Sequence, residues 1–261
     1  MSEYKKYNPD RHADWNFGGK NWKLSRSKIE FYLECPRCFY LDNKLGTKRP
    51  GFPSFTLNIA VDELCKKEFD VYRNKQEPHP IMNEYGIEAV PFQHPDLDVW
   101  RDPFVGLQYT DPETKMTISG GVDDIWVGAD SCLIVVDYKA TSKPGSITTL
   151  SDSSWEESYR RQLGIYQWLL RKMGFTVSNT GYFVYANAKQ DVPEFANVLQ
   201  FDTTLVPCIG DSDWVDDILP QIHQCLLSDM YPPSSPDCEF CRYRTASGKK
   251  LQAIHAQQHV K

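Results

Sequence analysis

The stretch Gly120–Lys139, GGVDDIWVGADSCLIVVDYK, leaves the backbone few options. A strand-like run carrying Asp123 is followed by a Gly-Ala-Asp-Ser turn and an apolar strand ending in Asp137-Tyr138-Lys139. Side chains alternate faces along a strand, so Asp137 and Lys139 project from one side and Tyr138 from the other. If the two runs pair as a hairpin, Asp123 approaches the same face and completes a cluster of two carboxylates and one lysine. Such a set suits Mg2+ or Mn2+ held beside a phosphate. Read by itself, an Asp-x-Lys is more often a pair of surface charges on a hairpin.

A second element follows in Ser158-Tyr-Arg-Arg-Gln-Leu-Gly-Ile-Tyr-Gln-Trp-Leu-Leu, whose spacing is helical. Tyr159, Gln162, Tyr166, Leu169 and Met173 form one stripe, and Gln162 interrupts its apolar character. A buried amide needs hydrogen-bond partners, which an active site, a bound nucleotide or neighbouring backbone can supply.

The eight cysteines divide into two groups. Cys65, Cys132 and Cys225 stand in apolar or amphipathic settings expected in the core, and Cys208 reads as a loop thiol. Cys35-x-x-Cys38 and Cys238-x-x-Cys241 differ, because each pair has the spacing that lets two thiolates grip one centre. Spacing does not separate a [4Fe-4S] cluster from Zn2+. The sequence around Cys-Pro-Arg-Cys is not a redox βαβ unit, which argues against thioredoxin-like chemistry. The six histidines, His12, His79, His94, His223, His255 and His259, show no metal-ligand spacing.

Taken together, Gly120-Gly-Val-Asp123, Asp137-Tyr-Lys139 and Gln162-Leu-Gly-Ile-Tyr166 resemble, in order and spacing, the RecB-like branch of the PD-(D/E)xK nuclease superfamily. Ser27 to Leu41 is similar to the opening helix of that branch's iron-sulfur members, the CRISPR-associated exonucleases and the nuclease domains of AddB-type repair complexes. Pro236 to Arg244 is similar to their closing cysteine cluster. The resemblance implies a mixed α/β fold, a central sheet flanked by helices. It also implies catalytic roles for Asp123, Asp137, Lys139, Gln162 and Tyr166, with metal on Asp123 and Asp137. A further ligand is expected on the first long helix, usually a His. Aligning Asn58-Ile-Ala-Val-Asp-Glu-Leu places Asp62 at that position, a departure that still offers Mg2+ or Mn2+ an oxygen. Helical geometry makes Glu68 its rival. The family's cysteine centre usually takes one ligand from the N-terminal element and three from the C-terminal one; here Cys38 replaces the missing third. The flanking sequence favours [4Fe-4S], with Zn2+ as the alternative. The implied substrate is DNA, cleaved by an exonuclease at single-stranded ends in repair, recombination or CRISPR-type defence. A metal-stapled nucleic-acid-binding module that has lost the chemistry is the competing reading.

Composition is compatible with this. The 261 residues are 41% hydrophobic and 25% charged, enough for a substantial core. The net charge of −6 is unevenly spread, +5 over residues 1–50 and −11 over the rest, and the basic part interleaves cations with Trp15, Trp22, Phe31, Tyr32 and Tyr40. There is no ATP-binding Gly-x-x-x-x-Gly-Lys-Ser/Thr loop, so a helicase motor is expected from another chain. No apolar run reaches membrane-spanning length and the opening residues lack an apolar leader, which predicts a soluble cytoplasmic protein. The organisation expected is a polar arm at 1–24, the nuclease domain at 25–245 and a tail at 246–261.

Element by element, Ser27 and Glu30 predict a capping box, with a kink at Cys35 and a restart at Pro36. A helix is expected from Thr56 to Tyr72, with Leu57, Val61, Leu64, Cys65, Phe69 and Tyr72 on its apolar face. Residues 76–114 read as irregular with one strand near 85–90. Strands are expected at 116–127 and 132–139, a helix at 155–173, strands at 180–186 and 197–202, and a last helix at 214–228.

Overall fold

The computed structural model describes residues 7–51 and 55–258. The start of the expected arm (1–6), residues 52–54 of the loop after Lys48, and 259–261 of the tail, with His259, lie outside the described residues. In chain order the elements are β1 (Leu24–Ser25), α1 (Arg26–Glu34), α2 (Pro36–Asn43), α3 (Thr56–Lys75), α4 (Pro80–Glu84), β2 (Ala89–Pro91), α5 (Leu97–Arg101), β3 (Leu107–Thr110), β4 (Thr117–Gly120), β5 (Asp124–Gly128), β6 (Leu133–Thr141), α6 (Ser154–Lys172), β7 (Thr180–Ala188), β8 (Phe201–Ile209), α7 (Asp213–Leu227) and α8 (Glu239–Gln258). The chain forms two compact units, Pro53–Asp217 on the one hand and Met1–Phe52 with Ile218–Lys261 on the other. No helix among the described residues is long and apolar enough to cross a membrane.

The unit Pro53–Asp217 is built on a mixed five-stranded sheet in the order β2-β5-β6-β7-β8, in which only β6 and β7 run parallel. The expected hairpin is present: β5 and β6 pair antiparallel with Asp124 opposite Val136. Its turn closes where Ser131 adopts a positive φ of 63° and Asp130 accepts the Cys132 amide at 3.0 Å. On one face of the sheet Trp126, Val136, Tyr138, Val184 and Leu205 pack with Phe69 of α3 and Met82 of α4. The other face carries α6. This helix begins at the Ser153 cap, which accepts the Glu156 amide at 3.2 Å, and ends at Gly174, whose φ of +96° stops it. Residues Gln162–Leu170 are all buried, so this middle part of α6 is enclosed on every side where a single apolar stripe was expected. Gly164 lets the backbone of Asp211 approach; a Cβ there would lie 2.0 Å from its carbonyl oxygen.

Several boundaries differ from the sequence reading. The run at 116–127 is broken at Gly121–Asp123, because the Val122 amide donates to Trp100 O at 3.0 Å instead of continuing the ladder. Residues 76–114 hold two short helices and two strands. The strand expected at 197–202 begins at Phe201, after Ala196 and Asn197 turn the chain with positive φ. It runs through Pro207, which an edge strand tolerates, and makes Cys208 a buried strand residue, not a loop thiol. Cys132 belongs to the β5–β6 turn and is only half-buried. On α3 the buried stripe centres on Phe69 and Arg73, and Leu57 and Leu64 are exposed.

In the other unit α1 is capped two residues earlier than expected, by Ser25, whose hydroxyl accepts the Lys28 amide at 3.4 Å. The break at Cys35 and the restart with Pro36 in the first turn are as expected. Within the expected arm, Arg11 pairs with Asp42 at 2.6 Å, and the Trp22 indole donates to Asn43 at 3.1 Å. The helix expected to be last is followed by α8, whose exposed Tyr243, Leu251 and Ile254 follow no buried stripe and gave no periodic signal.

Candidate active site

Strand β6 delivers Asp137 and Lys139 to the α6 face of the sheet and Tyr138 to the opposite face. Asp137 is fully buried and its Oδ2 is in ionic contact with the Lys139 ammonium. Helix α6 sets Gln162 over this pair: Gln162 Nε2 donates to Asp137 Oδ1 at 2.8 Å and to the Tyr166 hydroxyl at 3.1 Å, while its Oε1 lies 3.5 Å from Lys139 Nζ. The amide that broke the apolar stripe is thus satisfied by the Asp-x-Lys motif. Lys139 Nζ also sits 4.5 Å from the ring centre of Tyr159.

Asp123 stands one residue ahead of β5, where the chain leaves the ladder, and its Oδ2 accepts the Tyr138 amide at 3.0 Å. That bond joins Asp123 to the backbone between Asp137 and Lys139. Burial pushes the Asp123 carboxyl up to about 7, with the Asp137 charge adding to the rise and Lys139 opposing it. Burial works against the Lys139 charge, yet Asp137 and Asp123 hold its pKa above the ordinary lysine range. Two carboxylates therefore share a poorly solvated site, with the charges of Lys139 and Lys66 opposing the rise. Asp137 Oδ2, despite its ionic contact, has no well-directed hydrogen bond. These donors fit a divalent cation.

The third expected ligand is close by. Asp62 on α3 is half-buried, bonded to Lys66 at 2.7 Å, and its pKa is raised by burial first and then by the charge of Asp123. Glu68 instead points outward and meets His79 at 3.1 Å. Sequence reasoning missed a second set of charges beneath the same strand. Asp124, fully buried, contacts Arg73, takes Arg101 Nη2 at 2.9 Å and accepts the Tyr138 hydroxyl at 2.7 Å. Arg73, four residues after Phe69 on a helix face that points inward, was the available signal.

A family model of the PD-(D/E)XK nuclease superfamily matches residues 60–246. The chain belongs to that superfamily. Membership makes it a nuclease of the divalent-metal class, and the match spans Asp62, Asp123, Asp137, Lys139, Gln162 and Tyr166. No curated protein matches the sequence.

The four expected cysteines come together within the unit formed by Met1–Phe52 and Ile218–Lys261. All are buried and reduced, and their sulfurs lie within 4.8 Å of one another. Burial pushes the Cys35 thiol up, but the amides of Cys38 and Ser235 and the adjoining thiols outweigh it and bring it to about 6. The donor set fits a single thiolate-bound ion. Four buried thiols this close together are equally a donor set of the kind that binds an iron-sulfur cluster.

Proposed function

We propose that this protein is a Mg2+- or Mn2+-dependent deoxyribonuclease of the RecB-like branch, an exonuclease acting on single-stranded DNA ends. The observation that carries the reading is the contact of Gln162 with Asp137, itself paired with Lys139, beside a half-buried Asp123 that accepts the Tyr138 amide. Asp123 and Asp137, with Asp62, hold the metal. When bound, the metal supplies Lewis acidity toward the phosphate and acidifies water. Lys139 neutralises charge growing on the phosphoryl oxygens. Gln162 fixes the Asp137 carboxylate, and Tyr166 fixes Gln162. Support for a single strand comes from Trp155, 66% exposed at the start of α6, whose indole donates to the Tyr159 hydroxyl; the Tyr159 ring in turn faces Lys139. An exposed indole held this way offers a stacking surface for an unpaired base. On this reading residues 25–245 act as the nuclease domain between an arm (1–24) and a tail (246–261), in the cytoplasm, and a partner chain supplies any helicase. Repair, recombination and CRISPR-type defence are the processes such an enzyme serves.

The test is end-labelled single- and double-stranded DNA incubated with the full chain, with Mn2+ or with EDTA. Mononucleotide-sized products from the single strand, only with metal and lost in Asp137→Ala and Lys139→Ala, are expected. Cleavage in EDTA, or by either folded variant, defeats the assignment.

A further inference from the structure

We infer that the four-cysteine centre is a structural site for one tetrahedrally held Zn2+ and not the iron-sulfur cluster suggested by the flanking sequence. Four thiolates around one zinc at about 2.3 Å stand about 3.8 Å apart along every edge of the tetrahedron. Three of the six separations here are 3.9 Å for Cys35–Cys241, 3.6 Å for Cys38–Cys238 and 3.4 Å for Cys38–Cys241, and all six are within 4.8 Å. In a [4Fe-4S] cluster each thiolate binds a different iron, so the body of the cluster lies between the sulfurs and drives them further apart. Opening this packet that far would displace Phe31 and Phe240, which pack against it.

The two Cys-x-x-Cys pairs are built alike. Cys35 immediately precedes α2 and Cys238 immediately precedes α8, and their carbonyls accept the amides of Phe39 and Arg242, both at 3.0 Å. Cys38 and Cys241 follow in the first turns. Each helix start thus contributes two sulfurs and a favourable dipole for thiolate, an even division that matches one four-coordinate ion. Four thiolates on Zn2+ carry a net double negative charge, which a buried site must offset. Arg49 is positioned for this: its guanidinium lies 3.4 Å from Cys238 Sγ, packed 4.3 Å from the Phe31 ring centre and 4.6 Å from that of Phe240. The ligands are up to 206 residues apart in sequence, so the ion closes a very long loop and its binding free energy becomes folding free energy of this unit.

The test uses the full chain purified without oxygen, and its readouts do not depend on DNA cleavage. Elemental analysis should give about one zinc per chain and no iron or acid-labile sulfide, in a colourless solution. Co2+ taken up in place of zinc should show the visible bands and thiolate charge transfer of a tetrahedral tetrathiolate, and a strong chelator should lower the melting temperature. Cys38→Ser and Cys241→Ser should each lose zinc; where a variant fails to fold, the cobalt spectrum of the unaltered chain still decides. A brown protein holding iron and sulfide overturns the inference, as does a cobalt spectrum without thiolate bands or a metal-free chain whose melting temperature ignores chelator.

Discussion

Gln162 and Asp137 are joined by a hydrogen bond of 2.8 Å, although they lie on a helix and a strand 25 residues apart. The bond consumes one lone pair of the carboxylate and so fixes the direction of the others. Gln162→Ala should therefore keep the fold and lower metal-dependent cleavage by about 10–100-fold, the usual effect of removing a group that orients a ligand. Gln162→Glu should be at least as damaging, because it sets a like charge against Asp137. Cleavage rates and metal titrations on the same preparations separate lost positioning from lost folding.

Asp62 and Glu68 occupy opposite circumstances on α3, the first half-buried beside Asp123 and the second exposed against His79. Asp62→Ala should raise the Mn2+ concentration needed for half-maximal cleavage about tenfold, equivalent to ~1.4 kcal/mol of metal binding. Glu68→Ala should leave that requirement unchanged and cost under about 1 kcal/mol of stability, as an exposed pair does. The reverse pattern would transfer the ligand role to Glu68.

Glu156 gives the protein an acid-sensitive tie. Burial alone would raise its pKa, but Lys143 at 2.7 Å and the Ser151 amide and hydroxyl outweigh it and lower the carboxyl from 4.5 to about 2. A carboxylate depressed in the folded state stabilises above its unfolded pKa, and that contribution fades as pH falls from about 4.5 toward 2. Glu156→Gln should cost about 1–2 kcal/mol at pH 7 and flatten the dependence in that window, since Lys143 is half exposed and partly screened. Urea unfolding across the acid range checks both statements.

Asp124 is fully buried between Arg73, Arg101 and Tyr138. Removing it leaves two guanidinium groups without their acceptor, so Asp124→Ala should lose about 3–5 kcal/mol in equilibrium unfolding. Pairing Asp124→Leu with Arg73→Met should recover part of the loss; no recovery would show that Arg101 alone carries the cost.

The grouping of the candidate site residues was more legible in the sequence than the frame around them. Asp137, Lys139 and Gln162 were legible because strand alternation and helical spacing are local rules, and one polar residue on an apolar stripe stands out. Asp124 was not, since the second of two adjacent aspartates looks like another surface charge until Arg73 and Arg101 fold back onto it. α8 escaped because its sequence shows no apolar periodicity, and the strand expected at 197–202 was placed short of β8, which begins at Phe201 and runs on through Pro207 at the sheet edge. The cysteine pairs were found from spacing, while the chemistry they favour depends on sulfur-to-sulfur distances that spacing does not contain.

Tyr138 faces away from Asp137 and Lys139 and is bonded through its hydroxyl to Asp124. Selection on the two sides of β6 can therefore be told apart. A descendant that abandoned cleavage would lose the constraint on Asp137, Lys139 and Gln162 first, while Tyr138, Asp124 and Arg73 stayed because the strand still has to sit in its sheet. The relative pace of change on the two faces of one strand is thus a historical record of whether the chemistry is still in use.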